Sequence, residues 1–397
     1  MSVKRSVNAL KSFGGSVNCF IKDGVLKAGF KCVDLVSDRL AYPGFVAYSE
    51  FTKGYFACSE TGTFISPDGR YFHRCADYDG SNAFIIDDFI DGAARTIFIF
   101  DDKALIYNGD GVFSIENMNE ILHCGVMHRG RLFGAVDYTV KWSGPGGFDD
   151  WAGGVGGSGF VTLDPARGRI RKLFEFDGKL IAVRDFGLTV LNMRGSPENF
   201  TVGITDTDCE PIYYDSVCVS GDKLCFYCDS GIKCFDGNKI TSIKTRHSDM
   251  RPWTSAAYKG KYYLGGRNTV LDRDIILCVD LEDGESCIID DVADVIFVKG
   301  GIRIFNGSGQ KQVVEGGRYT FESGAIDFGT DRYKTVTEIK VTGKAQVSLS
   351  NGRYTRHFLI ENGTINPHLR GKSFTVTVRG EDEVREVILT AEVPNDV

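Results

Sequence analysis

The stretch Asp177–Met193 reads DGKLIAVRDFGLTVLNM, and its pattern decides the fold of most of the chain. A Gly/Asp/Lys turn leads into a strand with an apolar core, which is followed by a second turn and another strand. Such short β-branched and aromatic runs, broken by Gly, Asp or Asn, are typical of strands. Apolar residues almost nowhere repeat at helical spacing, so the sequence predicts an all-β protein. Six further copies of the unit begin at Gly54, Arg95, Arg129, Gly221, Lys259 and, in a shortened form, Asp294.

The repeat has the period of a β-propeller. Its equivalent core positions lie 35 to 48 residues apart, and they are Tyr55, Ile97, Leu132, Leu180, Leu224, Tyr262 and Phe297. One small antiparallel sheet cannot bury both faces, whereas radial stacking buries each sheet between two others, with about 40 residues per blade. We therefore predict a six- to seven-bladed β-propeller. A β-helix is the alternative, and it fits less well because its coils are shorter and more regular.

The composition shifts near Gly316, after which the strands become longer and alternate cleanly. In one of them Ile339 and Val341 alternate with Glu338, Lys340 and Thr342. This period of two indicates one buried and one solvated face. The sequence predicts a propeller over residues 1–316, to whose closure the segment 13–40 contributes, and a small C-terminal β-sandwich-like domain over residues 317–397.

Charge and hydropathy exclude several classes of protein. A net charge of -7 and a pI near 5.5 argue against a surface specialised for nucleic acid, which requires clustered Lys and Arg. The basic N-terminus precedes no continuous apolar segment, and no run of 18 apolar residues occurs, so neither a secretory signal nor a membrane span is predicted. The twelve cysteines are scattered through apolar runs, which favours buried thiols and folding in a cytoplasm.

No residue pattern predicts an enzyme. Acidic pairs occur at Asp87-Asp88, Asp101-Asp102, Asp149-Asp150 and Asp290-Asp291, where turns use Asp to cap amides. The Asp-box-like SPDGRYF from Ser66 lacks one residue of that box and does not recur. His123 and His128 with one cysteine make at best half a zinc site, and the turn after Asn108 is a calcium candidate that is too short for the EF-hand pattern. Cys225 and Cys228 have redox-like spacing, but on a strand they point to opposite faces. We predict no catalytic, cofactor-binding or metal-binding residues, and no cofactor.

The most unusual segment is KWSGPGGFDDWAGGVGGSG, Lys141–Gly159. Its Gly-x-Gly matches do not indicate a nucleotide site because no helix follows them. We predict an ordered inter-strand loop in which the first tryptophan ends a strand, the proline and glycines turn the chain, and the second tryptophan covers an apolar surface. If that second ring is buried, replacing it by alanine is expected to cost about 3–5 kcal/mol. The residues assigned to this structural loop are Trp142, Ser143, Pro145, Gly146, Asp150 and Trp151.

Three segments resemble β-propeller virion proteins of tailed bacteriophages. They are the opening FGGSVNCFIKDGVLKAGFKCVDLVSDRLA from Phe13, the stretch from Val140 to Asn192, and SGAIDFGTDRYKTVTEIKVTG from Ser323 with the later RGKSF strand. In that family a W-S-x-P-G-x-x-x-D-W loop leads to a glycine-rich turn and a strand pair, and the six loop residues named above occupy those places. The chain is small for a virion propeller and has no large inserted domain.

The resemblance implies a non-enzymatic structural role in a phage or prophage virion, in the tail or a head-to-tail or tail-tip assembly. The implied partners are other virion proteins and further copies of the chain in a ring, with neither a membrane nor a specific nucleic acid. The implied location is the host cytoplasm during assembly and then the virion tail. One alternative is a carbohydrate-binding or glycoside-cleaving propeller for host attachment, with Trp253 and Tyr258 as an aromatic platform. A signalling scaffold is a further alternative, but no WD or kelch signature recurs.

Overall fold

A computed structural model describes residues 2–22, 24–40, 43–77, 83–145, 147–153, 156–204, 210–247 and 249–394. In these residues strands predominate, and the only helices are three short 3-10 turns at Ala9–Lys11, Pro165–Arg167 and Pro197–Asn199. None of the helices in the described ranges has the length and apolar character needed to cross a bilayer. The predicted all-β class is confirmed.

The first five strands serve two different sheets. Four of them, β1 Ser2–Asn8, β2 Phe13–Val17, β3 Cys19–Lys22 and β4 Val25–Ala28, belong to a ten-stranded sheet that is completed by C-terminal strands. The fifth, β5 Phe30–Asp34, is the last strand of another sheet, whose other three strands come from residues 295–315. A propeller whose first and last segments share one blade is closed by that pairing.

Seven four-stranded antiparallel sheets follow, and they are the blades of the propeller. The first is β6 Phe45–Tyr48, β7 Tyr55–Ser59, β8 Gly62–Ser66 and β9 His73–Ala76, and the second is β10 Ala83–Ile90, β11 Ala93–Phe100, β12 Lys103–Tyr107 and β13 Phe113–Asn117. The third is β14 Cys124–His128, β15 Arg131–Val136, β16 Thr139–Trp142 and β17 Gly159–Thr162, and the fourth is β18 Ile170–Phe176, β19 Lys179–Arg184, β20 Leu188–Asn192 and β21 Thr201–Ile204.

The remaining three blades complete the count. The fifth is β22 Ile212–Ser220, β23 Lys223–Cys228, β24 Gly231–Phe235 and β25 Ile240–Ile243, and the sixth is β26 Met250–Tyr258, β27 Lys261–Asn268, β28 Arg273–Asp280 and β29 Ser286–Ile289. The seventh joins β30 Val295–Val298, β31 Ile302–Asn306 and β32 Gly309–Glu315 to β5. The predicted propeller is confirmed, with seven blades.

Tight turns explain how strands so short pair in a fixed register. At Asp177-Gly178, between β18 and β19, both turn residues have positive φ, 50° and 64°, as a type I′ turn requires. Its twist matches that of the flanking strands, and Gly and Asp are among the residues that tolerate it. The same Asp-Gly pair at Asp91-Gly92 joins β10 to β11 with φ of 51° and 73°. Because these turns require Asp and Gly at fixed places between strands, they mark the repeat in the sequence.

The chain forms two compact units. One comprises Asp34–Asp274 and Val292–Gln312, and its core consists of separate apolar layers between neighbouring blades. Between the third and fourth blades, for example, Phe133 packs with Leu173, Leu180 and Leu191. Burying both faces of every small sheet in this way is the physical reason for radial stacking.

The other unit comprises Met1–Val33, Ile275–Asp291 and Val313–Val397. Its last strands are β33 Tyr319–Ser323, β34 Lys334–Ser350, β35 Thr355–Ile365, β36 Leu369–Gly371, β37 Thr375–Gly380 and β38 Val384–Pro394. Together with the N-terminal strands β1, β2, β3 and β4 they form a single, nearly closed, barrel-like sheet. This sheet stands where the sequence predicts the small C-terminal β-sandwich-like domain. The predicted alternation in β34 is confirmed, because Ile339 and Val341 are buried and Lys340 is exposed.

Candidate binding surface on the third blade

The Lys141–Gly159 segment connects β16 to β17, and its first tryptophan is the last residue of β16. The Trp142 side chain is buried at 6% exposure, and its ring meets that of Phe200 edge-on, with 5.1 Å between centroids. A Cβ atom at Gly159 would lie 2.6 Å from the Trp142 ring, so only glycine leaves the space that the indole occupies. Trp142 thus anchors the start of the loop in the layer between the third and fourth blades.

The residues after Trp142 are fixed by hydrogen bonds. The buried Ser143 hydroxyl accepts from the Leu132 amide at 2.9 Å, and the Ser143 amide donates to the Leu132 carbonyl at 2.9 Å. The Gly144 amide donates to the Asp150 carbonyl at 2.6 Å, which closes the loop on itself. A Cβ atom at Gly144 would lie 2.0 Å from an Asp150 carboxylate oxygen, so a larger residue here would have to displace the Asp150 side chain.

A buried arginine that the sequence did not reveal holds the far side of the loop. Arg131, at 8% exposure, donates from Nη1 to the carbonyls of Ser143 at 2.6 Å and Gly157 at 3.1 Å. Its Nη2 donates to the Gly156 carbonyl at 2.6 Å. A guanidinium has several donors in a rigid plane, and therefore one side chain can tie together both ends of a glycine-rich segment.

The second tryptophan is only partly buried. Trp151 packs against the apolar layer between the second and third blades, which contains Phe148, and its carbonyl accepts from the Ser158 hydroxyl at 2.7 Å. Its Nε1 is buried with no hydrogen-bond partner among the described atoms. Pro145 is exposed in the turn, and Gly146 lies outside the described residues. The loop is thus held at both ends, and between them Phe148 and Trp151 pack on the apolar layer of the second and third blades.

A groove of about 370 Å³ runs beside the loop. Its lining includes an ion pair in which Lys141 Nζ lies 2.6 Å from Glu120 Oε2. Phe160, on β17 directly opposite Lys141, is 70% exposed at the rim, and β17 is the terminal strand of its sheet. The groove therefore combines an exposed aromatic ring with a strand edge. Its walls are formed by Glu120, Val136, Thr139, Lys141, Trp151, Ser158, Gly159 and Phe160.

The acidic residues considered in the sequence take part in turns and blade contacts. The Asp87 carboxylate accepts from the hydroxyls of Ser49 at 2.8 Å and Thr96 at 2.7 Å, which links the first two blades. In the SPDGRYF segment the Asp68 carboxylate accepts hydrogen bonds from the backbone amides of Arg70 and Tyr71. These two bonds lower the pKa of Asp68, and the bond from Arg70 has the larger effect. Both carboxylates are thus used in local structure.

The other candidate groups are also dispersed. Across the described ranges, no three His, Cys, Asp or Glu side chains are placed to hold a metal ion. Cys228 packs in the layer between the fourth and fifth blades, while Cys225 faces away from it. Trp253, the first member of the predicted aromatic platform, is 38% exposed and lies at the register shift between Pro252 and Thr254 in β26, and its Nε1 donates to the Ala293 carbonyl at 2.9 Å. Tyr258 donates to the Gly300 carbonyl at 3.4 Å.

His128, the last residue of β14, is a buried histidine whose titration is expected to make the stability of the propeller depend on pH. Its ring is buried, and Nδ1 lies 3.4 Å from the Glu175 carboxylate. Burial lowers the pKa of His128, while Glu175 raises it and Arg129 and Arg194 lower it further. As the pH falls below the unfolded value of about 6.5, the unfolded chain takes up the proton first, so stability is lost on acidification.

We expect His128→Phe to flatten this loss, because phenylalanine fills the site without a titrating ring. The measurement is the urea midpoint of both proteins between pH 7.5 and pH 5, a range chosen about the ordinary histidine value. Burial also lowers the pKa of His247, so His247→Phe, which keeps His128, serves as the matched control and retains part of the slope. An unchanged slope in His128→Phe would contradict the assignment.

Comparison with known proteins gives only distant structural neighbours. No family model and no curated protein matches the chain. It is similar to the extracellular domain of a putative one component system from B. thetaiotaomicron, with TM-score 0.49 and 12% identity over 86% of this chain, and it spans 47% of that domain. A quinonprotein alcohol dehydrogenase-like protein from Bacteroides thetaiotaomicron matches with a TM-score of 0.43 and 10% identity, over 71% of this chain and 76% of that protein. Kluyveromyces lactis Hsv2p matches with a TM-score of 0.42 and 8% identity, over 85% of this chain and 100% of that protein.

Proposed function

We propose that this chain is a non-enzymatic structural component of a tailed-bacteriophage or prophage virion, in the tail or a head-to-tail or tail-tip assembly. It acts as a docking propeller whose partners are other virion proteins and further copies of itself in a ring. It folds in the host cytoplasm and is then carried in the particle. The proposal rests on the resemblance of the Val140–Asn192 stretch to such proteins and on the form that this stretch takes.

The observation that carries the proposal is the anchoring of the described parts of the Lys141–Gly159 loop, at Trp142 and at Gly156-Gly157, beside an exposed strand edge. Ordering a mobile loop costs free energy when a partner binds, and a loop already held by Arg131 and Trp142 avoids much of that cost. The edge of β17 presents main-chain donors and acceptors, to which an extended partner segment can add as a further strand. Phe160 supplies an aromatic anchor of the kind that dominates interface energies.

The direct test is the location of the chain in a culture that produces particles. Virions are purified by density-gradient sedimentation and their proteins identified by mass spectrometry, with whole-lysate protein as the reference. We expect the chain to sediment with the particles at a fixed number of copies per virion. Recovery only from the soluble fraction, or binding or cleavage of bacterial glycans by the purified chain, would contradict the structural role.

Phe160→Ser tests the surface itself. Because the ring is 70% exposed, the free energy of unfolding should change by no more than about 0.5 kcal/mol, whereas incorporation into particles should fall at least tenfold. Val270→Ser is the matched control, since Val270 is 72% exposed and lies outside the third blade. Incorporation of the Phe160 variant at the level of the Val270 variant would remove β17 from the docking surface.

A further inference from the structure

A row of three cysteines crosses the fifth blade. Cys225 on β23 lies directly opposite Cys234 on β24 and opposite Cys218 on β22. Residues paired in this way project on the same face of a sheet, and the three sulfurs therefore share one side of the blade. Cys228, three positions after Cys225, packs on the other side. All eleven described cysteines are thiols.

Two of the three sulfurs are already in contact. The Sγ atoms of Cys225 and Cys234 lie 3.0 Å apart, and both side chains are buried, at 0% and 1% exposure. Opposite residues of antiparallel strands have Cα atoms about 4.5 or 5.5 Å apart, and both values lie within the range of about 4.4–6.8 Å that a disulfide spans. We propose that Cys225 and Cys234 are a disulfide-forming pair that a small peroxide oxidises.

The chemistry balances with hydrogen peroxide as the two-electron oxidant. Hydrogen bonding to Cys234 and burial raise the pKa of Cys225, whereas the same bond lowers the pKa of Cys234 against the opposing effect of burial, so Cys234 is the more acidic thiol and supplies the thiolate. That thiolate attacks one peroxide oxygen, giving a sulfenic acid and hydroxide. The hydroxide takes the Cys225 proton, and Cys225 Sγ then attacks Cys234 Sγ and displaces a second hydroxide, which is protonated by solvent. Two thiols and one peroxide thus give one disulfide and two waters.

Because the two thiols are buried, only a small oxidant can reach them while the blade stays folded. Peroxide is little larger than water and can enter through small fluctuations of the blade, whereas a bulky disulfide reagent requires the blade to open. Cross-linking joins the two middle strands of the fifth blade, and the enclosed segment contains the Asp229-Ser230 turn. This inference is independent of the virion role, since it concerns only the chemistry of one sheet.

The test uses the full chain, treated with hydrogen peroxide and digested with trypsin without reduction. The pair falls on separate peptides, Leu224–Lys233 and Cys234–Lys239, which mass spectrometry detects as one species lacking two hydrogen atoms. We expect most wild-type and Cys228→Ala chains to carry this link, and no Cys234→Ala chain to do so. Cys228→Ala also excludes the other cysteine of the first peptide as the partner.

The oxidation of the partly exposed Cys75 reports that the peroxide dose was sufficient. If Cys75 is oxidised while the two peptides remain separate thiols, the proposal is overturned. A predominant link between Cys218 and Cys225, or sulfinic acid on Cys234 with no cross-link, would overturn it as well. Reduction of the linked chain should restore the two separate thiol peptides, which confirms that the change is a disulfide.

Discussion

Replacing Trp142 by alanine is expected to lower the free energy of unfolding by about 3–5 kcal/mol. The ring is 94% buried, calculated from its 6% exposure, and contacts Phe133 and Phe200 in the layer between the third and fourth blades. Its loss leaves a cavity that the neighbours cannot fill, because the blade strands are held in register by hydrogen bonds. The measurement is urea unfolding followed by far-ultraviolet circular dichroism, which does not depend on tryptophan fluorescence.

The other two tryptophans provide matched controls at graded burial. Trp151 is partly buried, so the expected cost of Trp151→Ala falls to about 1–3 kcal/mol, below the value predicted for a fully buried ring. Trp253 is 38% exposed, and its alanine variant should cost least, mainly through the hydrogen bond to Ala293. We expect the order Trp142, Trp151, Trp253. A cost at Trp151 equal to that at Trp142 would show that the loop buries both rings in solution.

The sequence repeat predicts most of the blades, because each blade is marked by turn residues and apolar strand residues that lie close together along the chain. Six of the seven equivalent positions, from Tyr55 to Tyr262, lie on the second strand of the first six blades, and all are buried. The seventh, Phe297, lies instead on β30, the first strand of its blade. The turn after β30 is the glycine-rich Lys299–Gly301, and the equivalent position in this shortened unit therefore falls one strand earlier than in the other six.

Pairings between distant parts of the chain left no comparable signal. The strands β1 to β4 belong to a sheet whose other strands begin at Tyr319. The sequence of a short strand does not indicate which distant strand it will pair with. Register between such segments is set by which faces are buried in the completed sheet. One glycine helps to shape it: at Gly343 the register of β34 against β38 shifts, and a Cβ atom there would lie 2.5 Å from the Glu383 carbonyl.

The candidate surface was also predictable only in part. The tryptophans and glycines of the loop are conspicuous in sequence because they are rare or clustered. Arg131 and Phe160 are not, since an arginine after a turn and a phenylalanine in a strand each have common interpretations. Their roles depend on three carbonyls converging on one guanidinium and on β17 being a terminal strand. Both facts belong to the folded chain.

Arg131→Met is expected to lower the free energy of unfolding by about 2–4 kcal/mol, because it removes three charge-assisted hydrogen bonds and leaves their carbonyls unsatisfied. Methionine keeps most of the apolar stem, so the packing contribution is largely retained. The loss should be concentrated in the loop. Hydrogen exchange at the Gly144 and Ser158 amides, which bond within the loop, should accelerate more than exchange in β15.

Arg184→Met is the control that separates loop order from general instability. Arg184 is equally a buried arginine, at 1% exposure, and it donates to the Asp164 and Gly168 carbonyls in the connection between β17 and β18. Its replacement should destabilise the chain by a similar amount and leave exchange at Gly144 and Ser158 unchanged. If both variants accelerate hydrogen exchange in the loop equally, the proposal that Arg131 specifically orders the loop is wrong.

The same pair of variants connects loop order to docking. If the fixed loop is what a virion partner recognises, Arg131→Met should reduce incorporation into particles more than Arg184→Met at matched stability, because the partner must then order the loop itself. Arg131→Lys should resemble Arg131→Met, since one ammonium group cannot bond three carbonyls in the geometry of a guanidinium. Normal incorporation of an Arg131→Met chain whose loop exchanges rapidly would show that the partner binds elsewhere, and the exposed edge at Phe160 would then have to account for docking alone.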